Sequence, residues 1–265
     1  MEREIGSECA DAAVAIVRAG GAEESVLLIR RATRESDPWS GHWSFPGGRR
    51  EAEDPDLVQT ALRELGEECG IQLALRDLEG ALPVAVARRR TPPFLVVAPF
   101  VFAVDGQRPT VLDPREAVEA VWVPLAALRD PARHRLGPVA GVPREMLFPA
   151  VEVNGWPLWG FTYRLISDWL GLEPEGTCSD AARGILDFLL SLGLRLRRGW
   201  TDGVAEVEGA IPVAEVVAEV SKAGCGYPAV NMVEVRADVV RVVGLAFEEM
   251  RIKGWPRAGV DGRPA

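Results

Sequence analysis

Three acidic residues, Glu64, Glu67 and Glu68, fall within one turn of a predicted helix, close to a glycine, Gly70, that is expected to end it. Like charges at i and i+4 repel by roughly a few tenths of a kcal/mol, and acids in a last turn oppose the helix dipole. Proteins hold Mg²⁺ with a few carboxylates, substrate phosphate oxygens and waters, so this turn predicts a divalent-cation site. A solvated acidic helix end is the alternative.

A glycine pair just before the helix favours the cation site. Gly47 and Gly48 follow Phe45 and Pro46 in the sequence. Glycine lets the backbone approach a phosphate or a metal closely. Arg63, on a different side of the helix from its apolar residues, could pair with an acid in the preceding loop and fix that acid in place.

Elements on both sides of the loop must position these groups. Residues 56–69 predict an amphipathic helix, because at about 100° per residue their apolar side chains fall within one narrow arc. The arc contains Val58, Ala61, Leu62, Leu65 and Cys69. Glu64 and Glu68 project from its flank. Two runs rich in β-formers, residues 13–18 and 25–30, predict neighbouring strands, and further strands are predicted between residue 82 and residue 124.

Residues 47–71, GGRREAEDPDLVQTALRELGEECGI, resemble the Nudix box, whose pattern is G, five residues, E, seven residues and then REUXEEXGU with U apolar. The second half of the pattern matches fully over residues 63–71. The first half carries one extra residue before the helix, which restores Gly48 as the glycine of the pattern and makes Asp54 its isolated acid. The resemblance extends over roughly residues 13–172.

The resemblance implies an α/β fold, with an αβα sandwich around a mixed sheet. It also implies an enzyme that hydrolyses a nucleoside diphosphate linked to another moiety. It implies that Glu64, Glu67 and Glu68 bind Mg²⁺ or Mn²⁺, with the Gly47 carbonyl as a further oxygen donor. Glu64 and Glu67 are thereby also catalytic, and Arg63 orients a glutamate. The metal would neutralise the pyrophosphate and support an in-line displacement at phosphorus.

The general base and the phosphate-binding residues are less narrowly defined. The resemblance allows the base to be a glutamate of the box or an acid of a later loop, where Glu116 and Glu119 are the candidates; exposed strand-edge acids are the alternative. Arg31, Arg34 and Arg49 are among the basic residues that could bind substrate phosphates, together with Gly47 and Gly48. For any single arginine, a solvated surface role is the alternative.

Aromatic residues of the preceding loop could contribute to the same site. Trp39, Trp43 and Phe45 are candidates for stacking on a nucleobase, and core packing is the alternative for each.

The substrate is indicated by the sequence around the box. The extra residue, the following TALRE and the upstream VLLIRRATRESDPWSGHWSFPGGR are similar to the coenzyme A diphosphatase branch of the family, which implies coenzyme A or a derivative. ADP-ribose or another nucleoside diphosphate derivative is the alternative. A ligand-sensing transcription regulator is the alternative of another class, although the intact carboxylate turn argues against it.

Composition narrows the partners and the compartment. A net charge of −9 argues against nucleic acid as a general partner. Residues 1–20 contain no apolar signal segment, and the most apolar stretch, residues 94–104, is shorter than the roughly 20 residues of a membrane span. The four cysteines are scattered without a CxxC pair. We therefore expect a soluble cytoplasmic protein with a nucleotide-derived substrate and no membrane partner.

The chain is predicted to divide into a Nudix domain, residues 1–172, and a small, mostly helical domain, residues 173–265. Helical patterns occupy residues 180–193, 212–224 and 231–255. The last has apolar residues at i, i+3, i+4 spacing from Met232 to Met250. Because such a face needs cover, we expect a small bundle or a homodimer, and we favour the homodimer.

Overall fold

The computed structural model describes residues 10–34, 39–88, 95–139, 142–143, 146–172, 178–201, 204–223 and 230–244. The chain forms two compact units that divide between Arg129 and Asp130. Among the described residues, no helix is both long enough and apolar enough to cross a membrane.

The first unit is built on an eight-stranded mixed sheet. Its strands are β1 (Ala12–Ala19), β2 (Ser25–Arg31), β3 (Trp43–Ser44), β4 (Gly47–Arg49), β5 (Leu78–Ala81), β6 (Ala85–Arg88), β7 (Leu95–Val104) and β8 (Ala117–Pro124). β1 runs parallel to β7 along its whole length and antiparallel to β2 and β4. Its nearly continuous apolar sequence fits this central position, because a strand covered on both faces has little room for polar side chains.

Helix α1 (Leu57–Cys69) carries the carboxylate turn and packs against β1 and β4. It begins where the Asp56 side chain accepts a hydrogen bond from the Gln59 N–H at 2.8 Å. It ends at Gly70, whose φ of 67° is left-handed and whose N–H bonds back to the Gly66 carbonyl. Its buried apolar residues join the core of the unit, namely Leu57, Ala61, Leu65 and Cys69. A short helix, α2 (Leu125–Leu128), follows β8.

The sequence predictions for this unit are confirmed in their main features. The two predicted strands are β1 and β2, and the predicted helix is α1 with its apolar arc towards the core. The α/β class and the mixed sheet are also confirmed. One detail differs, because the Glu68 side chain is buried together with the apolar arc.

Within the residues that the structure describes, the second unit has a seven-stranded antiparallel sheet and three α-helices. The strands are β9 (His134–Pro138), β10 (Met146–Val153), β11 (Trp156–Trp159), β12 (Arg195–Thr201), β13 (Val204–Glu208), β14 (Val230–Val235) and β15 (Val239–Gly244). The helices are α3 (Gly160–Leu170), α4 (Cys178–Ser191) and α5 (Val213–Ala223). Apolar residues of α4 and α5 share one core with the strands, among them Leu189, Val216, Val220, Val233 and Val242.

The helix predicted over residues 231–255 is wrong in its described part, which forms the strand pair β14 and β15. Val233 pairs with Val242, and Val235 pairs with Val240. All four valines are completely buried, because alternate residues of a strand face the same side. Valine is β-branched and favours strands, and this preference outweighs the helical spacing. The second unit therefore combines helices with an antiparallel sheet and is not mostly helical.

The domain boundary predicted near Leu172 also differs from the division seen in the structure. β9, β10 and β11 belong to the second sheet because β10 pairs with β14, joining Leu147 to Val233. This pairing spans 86 residues of chain, so no local pattern reveals it. β9 lies between Arg129 and Phe148, and β11 at Trp156–Trp159 directly precedes helix α3, which begins at Gly160.

The homodimer expectation rested on an apolar helical face from Met232 to Met250, and the described part of that series is not helical. Six apolar side chains of β14 and β15 are buried within their own unit and belong to strands: Met232, Val233, Val235, Val239, Val240 and Val242. Ala246, Phe247 and Met250, from the second half of the predicted series, lie outside the described residues.

Candidate functional site

Two carboxylates of α1 meet the glycine turn that forms β4. The Gly47 N–H donates to Oε2 of Glu68 at 2.8 Å, and the Glu68 side chain is only 3% exposed. The Glu64 carboxylate lies against Gly48, where an added Cβ would come within 2.3 Å of Oε1. The glycine pair therefore permits a backbone approach to both carboxylates that other residues would block.

Gly47 is required for a second reason. Its φ is +155°, and a Cβ there would lie 2.3 Å from the Ala13 carbonyl oxygen on β1. The pairing of β4 with β1, which places Val14 beside Gly47, thus depends on the absence of a side chain. The strand pairing fixes the position of the turn against α1.

Burial leaves these carboxylates short of compensating charge. Loss of solvation raises the pKa of Glu68 to about 8, the Gly47 N–H opposes this rise, and the charges of Glu64 and Glu116 add to it. Arg31 lowers the pKa of Glu68, which places its guanidinium in the same electrostatic neighbourhood. Burial also raises the pKa of Glu64, against the opposing effect of the adjacent Arg63.

Arg63 connects the acids of the loop and the helix. Its Nε and Nη2 each lie 3.0 Å from an oxygen of Asp54, and its Nη1 lies 3.0 Å from Glu64 and 2.9 Å from Glu67. Its Nη2 also donates to the Arg49 carbonyl at 3.1 Å. The predicted pairing of Arg63 with an acid in the preceding loop is confirmed, and that acid is Asp54.

Asp54 lies behind Arg63, in a buried position with 6% exposure. Besides Arg63, it accepts hydrogen bonds from the Glu51 N–H and from the Thr60 hydroxyl, both at 2.9 Å. The bonds from Arg63 are the largest of the causes that lower its pKa to about 2. Sequence reasoning missed Thr60, and its signal was a polar residue within the buried face of α1.

We expect Asp54→Asn to lower the free energy of unfolding by about 1–2 kcal/mol at pH 7, because the folded pKa near 2 lies below the ordinary 3.8. A depressed carboxyl pKa stabilises the fold above the unfolded value. The difference from the parent protein should therefore be full above about pH 5 and shrink as the pH falls from about 4 towards 2. Urea unfolding of both proteins at pH 7, 5 and 3 measures it.

Asp113→Asn is the matched control for that measurement. Asp113 also has a pKa lowered to about 2, in this case by Arg115, but the pair lies at the surface. Water screens surface pairs, so the control should lose less stability than Asp54→Asn. An equal decrease in the free energy of unfolding in both variants would show that the buried network around Asp54 stabilises the fold no more than a surface pair does.

The structure separates the two candidate bases. Glu116 belongs to the electrostatic neighbourhood of Glu68 and pairs with Arg34, whose Nη2 lies 2.7 Å from Oε1. Glu119 is bound by the Arg30 Nε at 2.9 Å, between β2 and β8.

Two other predicted site residues, Glu67 and Arg49, have no described contact with the Glu64 or Glu68 carboxylate. Glu67 is 59% exposed on its side chain and turns towards Arg63. Arg49 is exposed, and with Asp11, Arg50, Glu51 and Ala52 it lines an open surface depression of about 500 Å³. Only its carbonyl has a described bond to the Arg63 network.

The aromatic residues of the loop divide between two roles. Trp43 and Phe45 are buried in the structure, so the stacking role considered for them is wrong and the core alternative is confirmed. β3 pairs with β2 and turns Trp43 inward. Trp39 is partly exposed, and its carbonyl accepts the His42 N–H.

A hard divalent cation fits the donor set that Glu64 and Glu68 provide. The oxygens of two adjacent carboxylates lie beside the glycine turn, and burial penalises their negative charges without a full counter-charge. Within the described part of the chain, no three His, Cys, Asp or Glu side chains form a group that could hold a metal ion alone. Waters and substrate phosphate oxygens would supply the remaining ligands, as is usual for Mg²⁺.

A comparison of the sequence with protein-family models covers the region that contains these carboxylates. Residues 10–141 match the family model of the NUDIX domain. This region is a Nudix domain. The match includes the glycine turn, α1 and the strand that follows Glu116, so the family assignment covers the carboxylate site described above.

Two curated relatives are similar to part of this chain. An uncharacterized protein of Schizosaccharomyces pombe is 40% identical over 107 residues, which are 39% of this chain and 32% of that protein. The mitochondrial coenzyme A diphosphatase NUDT8 of Homo sapiens is 36% identical over 107 residues, 39% of this chain and 43% of that protein. The chain thus spans less than half the length of these relatives.

Among solved structures, the NUDIX domain of Shewanella oneidensis NrtR complexed with ADP ribose is similar at 23% identity. The similarity covers 43% of this chain and 72% of that chain, with a TM-score of 0.37.

Proposed function

We propose that this chain is a divalent-cation-dependent pyrophosphohydrolase that cleaves the diphosphate of coenzyme A or its derivatives. The observation that carries the hydrolase proposal is the buried Glu68 and the partly buried Glu64 against the Gly47–Gly48 turn, inside a Nudix domain. Two carboxylates kept this close in a buried setting are unfavourable on their own and are suited to a cation and a phosphate.

Glu64 and Glu68 are the residues that would hold Mg²⁺ or Mn²⁺. When bound, such a cation neutralises the charge of the pyrophosphate oxygens and stabilises the departing phosphate oxygen. Glu67, the third predicted ligand, pairs with Arg63. This pairing favours a role in holding Arg63 and not in binding the cation directly. Arg63 orients Glu64, because Asp54 holds its guanidinium with two bonds and leaves Nη1 directed at the Glu64 carboxylate.

Glu116 is the proposed general base. Its charge raises the pKa of Glu68, and it belongs to the segment before β8 and not to the proposed ligand pair. Its carboxylate could therefore take a proton from the attacking water without leaving the cation site incomplete. The water oxygen bonds to phosphorus, the anhydride P–O bond breaks, and the leaving phosphate keeps the electron pair. Arg31, whose charge lowers the pKa of Glu68, would bind the negatively charged substrate, and Arg49 lines an open surface depression.

The substrate class rests on sequence similarity. The similarity to NUDT8, a coenzyme A diphosphatase, and the motif upstream of the box both support coenzyme A. The alternatives are ADP-ribose and other nucleoside diphosphate derivatives, which present the same pyrophosphate to the same carboxylates.

In a substrate panel with Mg²⁺ and with Mn²⁺, we expect coenzyme A to be cleaved to 3′,5′-ADP and a phosphopantetheine, with kcat/KM at least about 10-fold above that for ADP-ribose. Mass spectrometry identifies the products, and dephospho-coenzyme A is the matched substrate without the 3′-phosphate. ADP-ribose hydrolysed far faster, with coenzyme A untouched, would contradict the substrate assignment. No hydrolysis of any member would contradict the enzyme proposal, and sequence-specific duplex binding would then support a regulator.

A further inference from the structure

We propose that Arg34 is a positioning residue that holds Glu116 in its place as the general base. This inference rests on the proposed function. The sequence indicated Arg34 as a candidate for binding substrate phosphate, whereas the structure directs its guanidinium at the segment before β8. Arg34 Nη2 lies 2.7 Å from Oε1 of Glu116 and also donates to the Arg115 carbonyl.

Both ends of the Arg34 side chain are restrained. At its backbone, the N–H donates to the Ser40 hydroxyl at 2.8 Å, and that hydroxyl donates to the Arg34 carbonyl at 2.7 Å. At its tip, one nitrogen contacts the carboxylate of Glu116 and the carbonyl of the preceding residue. A guanidinium that holds both the side chain and the neighbouring backbone limits rotation of the carboxylate.

The backbone around Glu116 is fixed independently of Arg34. The Ala32 N–H donates to the Glu116 carbonyl at 2.8 Å, and the Glu116 N–H donates to the Asp113 carbonyl at 2.9 Å. The main chain is thus held by β2 and by its own turn, and the rotation of the carboxylate is the freedom that Arg34 controls. Loss of Arg34 should therefore misdirect the base without unfolding the segment.

The exposure of the pair supports a role in turnover more than in stability. The side chains of Arg34 and Glu116 are 43% and 38% exposed, and ion pairs with such access to water contribute little to folding. The charge of Glu116 is among those that raise the pKa of Glu68, so the two carboxylates interact electrostatically. A small loss of orientation at a reacting group can reduce the rate strongly.

A double-mutant cycle on the full chain tests this assignment, with kcat and KM measured for the substrate that the parent protein hydrolyses best. We expect Arg34→Ala to lower kcat about 10- to 100-fold with KM changed by less than about 3-fold, and Arg34→Lys to recover part of the loss. In a Glu116→Ala background, Arg34→Ala should cause no further loss, because Arg34 acts through Glu116.

Two variants serve as comparisons. Arg18 pairs with two carboxylates, Glu24 and Glu79, and lies at the end of β1 opposite to the pairing with β4. Arg18→Ala should leave kcat within about 2-fold of the parent. Glu119→Gln should lower kcat far less than Glu116→Gln.

The outcomes separate this inference from the proposed function. A raised KM with unchanged kcat in Arg34→Ala, or an equal loss in the Glu116→Ala background, would show that Arg34 acts on the substrate directly and would overturn the inference. An active parent protein with an unaffected Arg34→Ala variant would overturn the inference alone. An inactive parent protein would refute the proposed function, and the inference with it.

Discussion

Glu64→Gln and Glu68→Gln are each expected to lower kcat at least about 10³-fold while the fold persists, because each removes a charged oxygen ligand from a buried cation site. A bound cation stabilises transition-state charge by several kcal/mol, and roughly 4 kcal/mol corresponds to this factor. Glutamine keeps the shape of glutamate, and its carbonyl oxygen can still accept the Gly47 N–H at position 68. Steady-state kinetics and circular dichroism of the full chain test the two halves of this prediction.

A thermal shift with Mg²⁺ or Mn²⁺ gives a second readout that does not depend on the substrate. The cation should raise the melting temperature of the parent protein and not that of either variant, since a ligand stabilises only the state that binds it. Glu67→Gln is the matched comparison on the same helical turn, and its exposed side chain predicts a smaller loss. Full activity in EDTA, or in both Glu64→Gln and Glu68→Gln, would contradict the assignment of a cation to this site.

Gly48→Ala is expected to lower turnover about 10²-fold or more with little loss of stability. The new Cβ would lie 2.3 Å from Oε1 and 2.5 Å from Cδ of Glu64. Because these atoms form the end of a flexible side chain, the carboxylate can move away and the fold can stay intact. The ligand would then remain chemically unchanged but out of place, and displacement by about 1 Å can cost this factor in rate.

At the neighbouring Gly47, the same substitution should lower stability and not turnover alone. At Gly47 a Cβ would meet the main chain of β1, 2.3 Å from the Ala13 carbonyl oxygen, and the φ of +155° strains any other residue. Gly47→Ala should therefore lower the free energy of unfolding by about 3 kcal/mol or more. Gly80→Ala, in β5, adds a methyl group in open space and is the control for both.

Urea unfolding and kinetics on the three glycine variants distinguish these effects. A Gly48→Ala variant with parental activity would show that Glu64 does not need its place against the glycine turn. A Gly48→Ala variant as unstable as Gly47→Ala would show that the contact supports the fold and not the site.

Much of the site could be predicted from the sequence because its signals are local. The apolar arc of α1, its Asp56 cap and the Gly70 stop all depend on residues within one or two turns. The same holds for the spacing that places Glu64 and Glu68 on one side of the helix. The resemblance of residues 47–71 to the Nudix box then gave these carboxylates a chemical meaning, and the family match agrees with it.

The C-terminal half shows where local patterns mislead. Valines at positions 233, 235, 240 and 242 fit a strand, while the wider apolar series from Met232 fits a helix. The choice was made by pairing of β14 with β10 and of β15 with β13, strands that lie far away in the sequence. The strand preference of valine and the backbone hydrogen bonds to these partners act together, and no helical spacing rule contains the information about the pairing.

Sequence alone thus determined the helix, its carboxylates and the glycine turn, since caps, periodicity and glycine conformations act over short distances. Only the tertiary structure decided what each charge touches. It buried Glu68 under the Gly47 N–H, held Arg63 with Asp54, and brought Arg34 to Glu116 across 82 positions of chain. These contacts follow from the pairing of β4 with β1 and of β2 with β8, because strand register sets which side chains meet.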